Sequence, residues 1–269
     1  MRGRVLIIAG SDSGGGAGIQ ADIKAVTALG GYAATAITAI TVQNTLGVHG
    51  VHPLPLDLIE AQARAVLDDI GADAIKTGML GSVAVVERVA AILDSSDAVA
   101  VVDPVMVAKG GAALLDEDAV QAVRSLMIPR AGLLTPNAPE AEALTGLPVV
   151  DLDGQRRAGE ALLTLGARAV LMKGGHVPGE TVVDLLLTPR GETLLEGERV
   201  DTTSTHGTGC TLASAIAAGL ALGRPLEVAV AEGWAYVAEA IRRAPGLGRG
   251  HGPLDHGWPL RDAMARGGR

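Results

Sequence analysis

The chain has 269 residues, 48% of them apolar, with no Phe, two Trp, two Tyr, one Cys and a formal net charge of −8. That length suits one large α/β domain whose core is built from Ala, Val, Leu and Ile. The acid excess and the lack of stacking platforms argue against a nucleic-acid partner, and a lone cysteine, unable to form an intramolecular disulfide, fits a reducing cytoplasm.

In chain order, the first apolar run, Val5–Ile8, is too short for a signal-peptide core and is cut off by Gly10 and Asp12. It reads as a strand. Further strand-like runs are Ala34–Val42, Ala74–Thr77, Ala98–Val102, Gly132–Thr135 and Ala169–Lys173. Helical patterns lie between them near Gly18–Leu29, Leu56–Ile70, Ser82–Leu93, Asp116–Met127 and Asp153–Leu165, the last with Asp153 as its expected cap. Pro139 suits the first turn of a helix. Continuous apolar strands alternating with helices predict a parallel sheet covered on both faces, with the strand C-termini along one ligand-binding edge. Val182–Leu187 and Thr193–Val200 flank Thr188-Pro-Arg-Gly191, a turn signal, and predict a hairpin. Two last helices are expected near Thr208–Ala221 and Pro225–Arg242, then an irregular tail over 245–269. Thr211–Gly223 lacks charge but falls short of the roughly 20 residues that span a bilayer, so no membrane segment is expected.

Two glycine-rich segments open helices. In Gly10-Ser-Asp-Ser-Gly-Gly-Gly-Ala-Gly18, Gly16-x-Gly18-x-x-Ala21 satisfies a relaxed dinucleotide fingerprint. That reading needs an acidic residue about 20 positions on, and Thr35–Asn44 holds none. So many glycines suit close approach of backbone to a ligand. In Thr205-His-Gly-Thr-Gly-Cys210, several amides at a helix start converge with the helix dipole behind them, a geometry for an anion in phosphoryl transfer. A thiol at that position is expected to have a lowered pKa. A flexible loop with a buried cysteine is the alternative.

At the expected strand ends stand Asp103, Asn137 with Glu140, and Lys173. Two carboxylates, an amide and an ammonium on one edge suit Mg²⁺ with phosphates. The four lysines are Lys24, Lys76, Lys109 and Lys173, three of them beside or one residue from a glycine, as in Lys109-Gly110. A compact point charge close to phosphate would favour lysine there. His49 and His52 read as surface loop residues. His176 and His206 flank the expected site, and Met79 and Met106 fit either core or pocket wall.

Seven motifs then occur in order: Gly10 through Asp22, Gln43-Asn-Thr45, Lys76-Thr-Gly-Met79, Asp103-Pro-Val-Met106, Thr135-Pro-Asn-x-Pro-Glu140, Lys173-Gly-Gly-His176 and Thr205 through Cys210. This series resembles the hydroxymethylpyrimidine/phosphomethylpyrimidine kinases of thiamine biosynthesis, in the ribokinase superfamily. The resemblance implies a three-layer α/β sandwich with a central mostly parallel sheet and no separate lid domain. It implies transfer of the ATP γ-phosphoryl, with Mg²⁺, to 4-amino-5-hydroxymethyl-2-methylpyrimidine and then to its monophosphate, by a homodimer. On matching positions, Gln43 would read the pyrimidine edge, with Gly10 and Asp22 nearby and Met79 and Val105 lining the ring. Asp103 and Glu140 would hold metal, Asn137, Lys173 and Thr208 the nucleotide, and Gly207, Thr208, Gly209 and Cys210 the anion hole. The chemistry of the alcohol step makes the Cys210 thiol a candidate base, with a loop-shaping or structural role as the alternative. Gln43 also stands on its own chemistry, since an amide matches an amino group beside a ring nitrogen. A pyridoxine/pyridoxal kinase on the same scaffold is the alternative, and a non-catalytic pyrimidine- or nucleotide-binding protein a distant one.

Overall fold

A computed structural model describes residues 3–106 and 117–267. One nine-stranded sheet, ordered β3-β2-β1-β4-β5-β6-β7-β8-β9, runs through the molecule. Its parallel centre comprises β1 (Arg4–Asp12), β2 (Tyr32–Asn44), β4 (Ala74–Thr77), β5 (Val99–Val102), β6 (Leu133–Leu134) and β7 (Val170–Met172). The antiparallel strands β3 (Gly47–Pro53), β8 (Thr181–Thr188) and β9 (Gly191–Glu198) flank it. The helices are α1 (Gly18–Ala28), α2 (Leu56–Asp69), α3 (Val83–Asp94), α4 (Glu117–Ala122), α5 (Ala138–Thr145), α6 (Leu152–Thr164), α7 (Thr208–Ala221), α8 (Leu226–Arg242) and α9 (Trp258–Gly267).

The period of two along each strand sorts the core into two halves. Leu6, Ile8, Ala100, Val102, Leu134, Val170 and Met172 pack with α2 to α6. Val5, Ile7, Ala9, Val101, Leu133 and Leu171 pack with α1, α7 and α8. Both faces are therefore covered, as the unbroken apolar strands require. The result is the three-layer α/β sandwich expected.

Four expectations change. Residues 47–53, read as a loop around His49 and His52, form β3, which pairs with Ala39–Asn44 of β2; both histidines remain at the surface. The cap of α6 is Asp151, whose carboxylate accepts the Gly154 amide at 2.7 Å, and Asp153 sits in the first turn. The helix expected from Asp116 continues past α4 as a wider turn over Val123–Met127, and its first residue, like Lys109-Gly110, lies outside the described residues. The tail is not irregular throughout. Trp258 stacks on Tyr236 of α8 under the Arg243 guanidinium, and α9 starts there. The preceding stretch straps two loops together: His251 donates its amide to the Thr45 carbonyl, and the Gly252 carbonyl accepts from the His206 amide.

Candidate active site

The parallel strands end along one edge of the sheet, and the residues at or just past those ends border a cavity of about 720 Å³, well within the range of small-ligand sites. Gly10, Gln43, Met79, Asp103, Val105, Asn137, Glu140, Lys173, Gly207, Thr208, Gly209 and Cys210 all line it. His176, His206 and Met106 line it as well.

Asp22 does not. It is fully buried, accepting Lys76 Nζ on both oxygens at 2.9 and 3.0 Å and Ser214 Oγ at 2.7 Å. Burial opposes the Lys76 charge, but the Asp22 carboxylate overrides it and holds the ammonium above its usual pKa. The pair ties α1, β4 and α7 together beneath the cavity. A structural role replaces the expected substrate-binding one for Asp22, because its carboxylate is fully buried outside the cavity lining and bonded to internal donors.

The first glycine-rich segment wraps a protein carboxylate. Asp12, 2% exposed, accepts the amides of Gly14 at 2.8 Å, Gly16 at 3.0 Å and Ala17 at 2.8 Å, and His206 Nε2 at 2.9 Å. Burial alone would raise its pKa; the bonds from His206, Ala17 and Gly14 outweigh that and hold it below the usual range.

The second segment is open. Gly207 caps α7 at φ +80°, where a Cβ would meet the Gly16 carbonyl oxygen at 1.8 Å, so only glycine fits. Among the described residues, the amides of Gly209 and Cys210 find no acceptor. A Cβ on Gly209 would lie 3.0 Å from Lys173 Nζ and 3.7 Å from Asp103 Oδ2, which shows how closely this helix start approaches the strand-end charges. The Thr208 hydroxyl donates to the Thr205 carbonyl at 2.8 Å and holds the turn.

Across from these amides, Lys173 Nζ lies 2.9 Å from Asp103 Oδ1 and 3.7 Å from Glu140 Oε2. Thr135 Oγ1 also donates to Asp103. Glu140 and Asn137 form a capping box at the start of α5, each accepting the other's amide, with Pro139 in the first turn as expected. Burial raises Glu140 to about 7; Lys173 opposes this from its longer distance, and Asp103 adds to it. Among the described residues no three His, Cys, Asp or Glu gather as a metal cage.

Cys210 departs from expectation. Burial, reinforced by Asp22 and Asp103, pushes its thiol up to about 11 despite the Lys76 charge and a bond from the Gly18 amide. The helix dipole does not win against desolvation here. A thiol raised in this way is mostly protonated near neutral pH, which weighs against Cys210 as the base for the alcohol.

Sequence reasoning missed the far wall. Trp234, Val237, Ile241 and Arg242 of α8 line the cavity with Arg199 and Asp184. Asp184, pushed up to about 6 by burial, accepts the Gly174 amide at 2.7 Å. The one available signal was a single charge inside the apolar run Val182–Leu187.

A family model described as phosphomethylpyrimidine kinase matches residues 12–255. The chain belongs to that family. It is a kinase with the ribokinase-like fold. A hydroxymethylpyrimidine/phosphomethylpyrimidine kinase of Streptomyces coelicolor is 52% identical over 256 residues, covering 95% of each chain. Among solved structures, an ADP complex of Bacillus subtilis pyridoxal kinase superposes with a TM-score of 0.90 at 38% identity, covering 97% of this chain and 99% of that one. A phosphomethylpyrimidine kinase from Clostridium difficile 630 superposes with a TM-score of 0.79 at 43% identity, covering 88% and 99%. No helix among the described residues is long and apolar enough to cross a membrane.

Proposed function

We propose that this kinase transfers the γ-phosphoryl group of ATP to hydroxymethylpyrimidine and then to the resulting monophosphate. The observation that carries this reading is the pair of unclaimed amides at Gly209 and Cys210, facing Lys173, Asp103 and Glu140 in a cavity that Gln43 also lines. Donors aimed at a transferring phosphoryl group stabilise charge as it develops. The bond from the γ-phosphorus to ADP breaks, one to the acceptor oxygen forms, and the hydroxyl proton is released. With Cys210 protonated, positioning and electrostatics carry the alcohol step. In the second step the nucleophile is a phosphate oxygen that is already anionic.

Asp103 and Glu140 fit Mg²⁺, a hard cation that takes one or two carboxylates plus phosphate oxygens. When bound, the ion would neutralise phosphate charge. Lys173, now paired with Asp103, would turn toward the nucleotide phosphates as the second cation of the site.

A second acceptor is favoured by one observation, the likeness to a pyridoxal kinase at a TM-score of 0.90. Both acceptors are flat heteroaromatic rings with a hydroxymethyl arm. A coupled ADP-release assay across hydroxymethylpyrimidine, its monophosphate and pyridoxal decides between them. The proposal expects metal-dependent turnover of both pyrimidines, and turnover of pyridoxal alone would overturn it.

A further inference from the structure

Gln43 is anchored through its backbone: its amide donates to Ser13 Oγ at 2.9 Å, and its carbonyl accepts the same hydroxyl at 2.8 Å. Its side chain meets two groups. Gln43 Nε2 stands 3.2 Å from His206 Nε2, and Oε1 stands 3.1 Å from Thr41 Oγ1. The same His206 Nε2 lies 2.9 Å from Asp12 Oδ2.

Proton bookkeeping around these atoms leaves one consistent arrangement. Asp12 accepts three backbone amides besides the ring, so it is a carboxylate with no proton to give. His206 Nε2 must therefore carry the hydrogen, because a bare ring nitrogen would set lone pair against lone pair. The Thr41 hydroxyl has a single proton, which the Ser11 carbonyl takes at 2.9 Å. An amide nitrogen facing His206 would then oppose donor to donor, and an amide oxygen facing Thr41 acceptor to acceptor. The two amide ends are alike in shape and are told apart by their partners. With the oxygen toward His206 Nε2–H, a proton it shares with Asp12, and the NH₂ toward Thr41 Oγ1, no donor faces a donor and no acceptor faces an acceptor. One N–H and one lone pair of Gln43 remain, in fixed order, for the cavity.

We propose that Asp12 and His206 are positioning residues that set which way round Gln43 presents its donor and acceptor to the acceptor ring. The proposal rests on the reading that the cavity takes a ring with an amino group beside a ring nitrogen. The first glycine-rich segment then acts on the ligand indirectly. Its amides hold Asp12 ionised, Asp12 holds the His206 proton, and His206 holds the Gln43 oxygen. Fixing the amide spares the ligand the cost of selecting one of two orientations.

The test is a double-mutant cycle on the acceptor KM with His206→Leu, Gln43→Leu and the pair. His206→Leu should raise the acceptor KM about tenfold, as for one lost buried hydrogen bond, and leave the ATP KM unchanged. In the Gln43→Leu background it should add almost nothing. His206→Gln, which keeps an N–H near the same point, should restore most of the affinity. An additive cycle, or an equal rise in ATP KM, would show His206 to be a loop residue only. Nitrogen NMR of the ¹⁵N-histidine-labelled wild-type protein, which needs no substrate and no variant, should find Nε2 protonated; a bare Nε2 overturns the relay. If the pyrimidine is not turned over, the proposed function fails while the ring measurement still decides the relay.

Discussion

Gly10–Gly18 and Thr205–Cys210 both lead a glycine-rich turn into a helix, and both line the same cavity. In the first, the amides of Gly14, Gly16 and Ala17 are aimed at the chain's own Asp12. In the second, those of Gly209 and Cys210 meet no acceptor among the described residues. The pattern of glycines reports only that backbone approaches something negative. Whether that anion is internal or a ligand depends on one residue, the aspartate at the end of β1.

The largest effect should come from cutting the tie between the two helices that these segments open. Asp22 of α1 bonds Ser214 of α7 and neutralises Lys76 of β4. Asp22→Ala strands a buried ammonium and should cost about 3–5 kcal/mol of stability by denaturant unfolding. The acceptor KM of the folded fraction should change little; a large rise would restore Asp22 to the ligand.

Next, a matched pair of glycines separates the segments. Gly207 and Gly15 have φ of +80° and +74°, but a Cβ on Gly207 would strike backbone, whereas one on Gly15 would meet the end of Lys24 at 3.3 Å. Gly207→Ala should lower kcat about 10²–10³-fold, as for a lost donor to the transition state. Gly15→Ala should cost only the left-handed strain of roughly 1–2 kcal/mol in stability, with kcat nearly intact. Equal kinetic losses would erase the contrast.

The strand-end acids give a smaller, pH-dependent effect. Burial holds the Glu140 pKa at about 7 in the resting site, so below that pH a metal ion must displace a proton from it. The Mg²⁺ concentration for half activity should therefore rise as pH falls below 7, approaching about tenfold per unit. In Glu140→Gln the requirement should be higher at pH 8 and nearly flat with pH. A wild-type requirement independent of pH would remove Glu140 from the metal.

Cys210→Ala should have the smallest effect. It keeps the amides and removes a thiol whose pKa is raised to about 11. Losses in either phosphorylation step should stay well under the roughly 10²–10⁴-fold that a positioned base supplies. A large loss confined to the alcohol, with an ascending pH limb between 6 and 9, would make the thiol the base after all.

Much of this site is legible in the sequence because its side chains follow apolar strands, and strand ends in a parallel sheet share an edge. Asp103, Lys173 and Gln43 follow from that logic together with the motif series, and each lines the cavity. Asp22 does not yield to it, because its partners Lys76 and Ser214 come from elements 54 and 192 residues away. The α8 wall carries no local signal, since Trp234 joins the cavity by packing against Gly197 of β9, far away in sequence. The Cys210 pKa is also out of reach, as its sign depends on burial outweighing a helix start and a lysine. The strap from the tail to Thr45 and His206 has no sequence signature at all.

Whether only the second segment is open to phosphate can be read directly by amide NMR, titrating the wild-type protein with Mg²⁺ and AMP-PCP. The resonances of Gly209 and Cys210 should move strongly and saturate, while those of Gly14, Gly16 and Ala17 stay near their starting positions. Large shifts at the first segment with none at Gly209 and Cys210 would contradict the division between a segment closed on Asp12 and one open to the nucleotide.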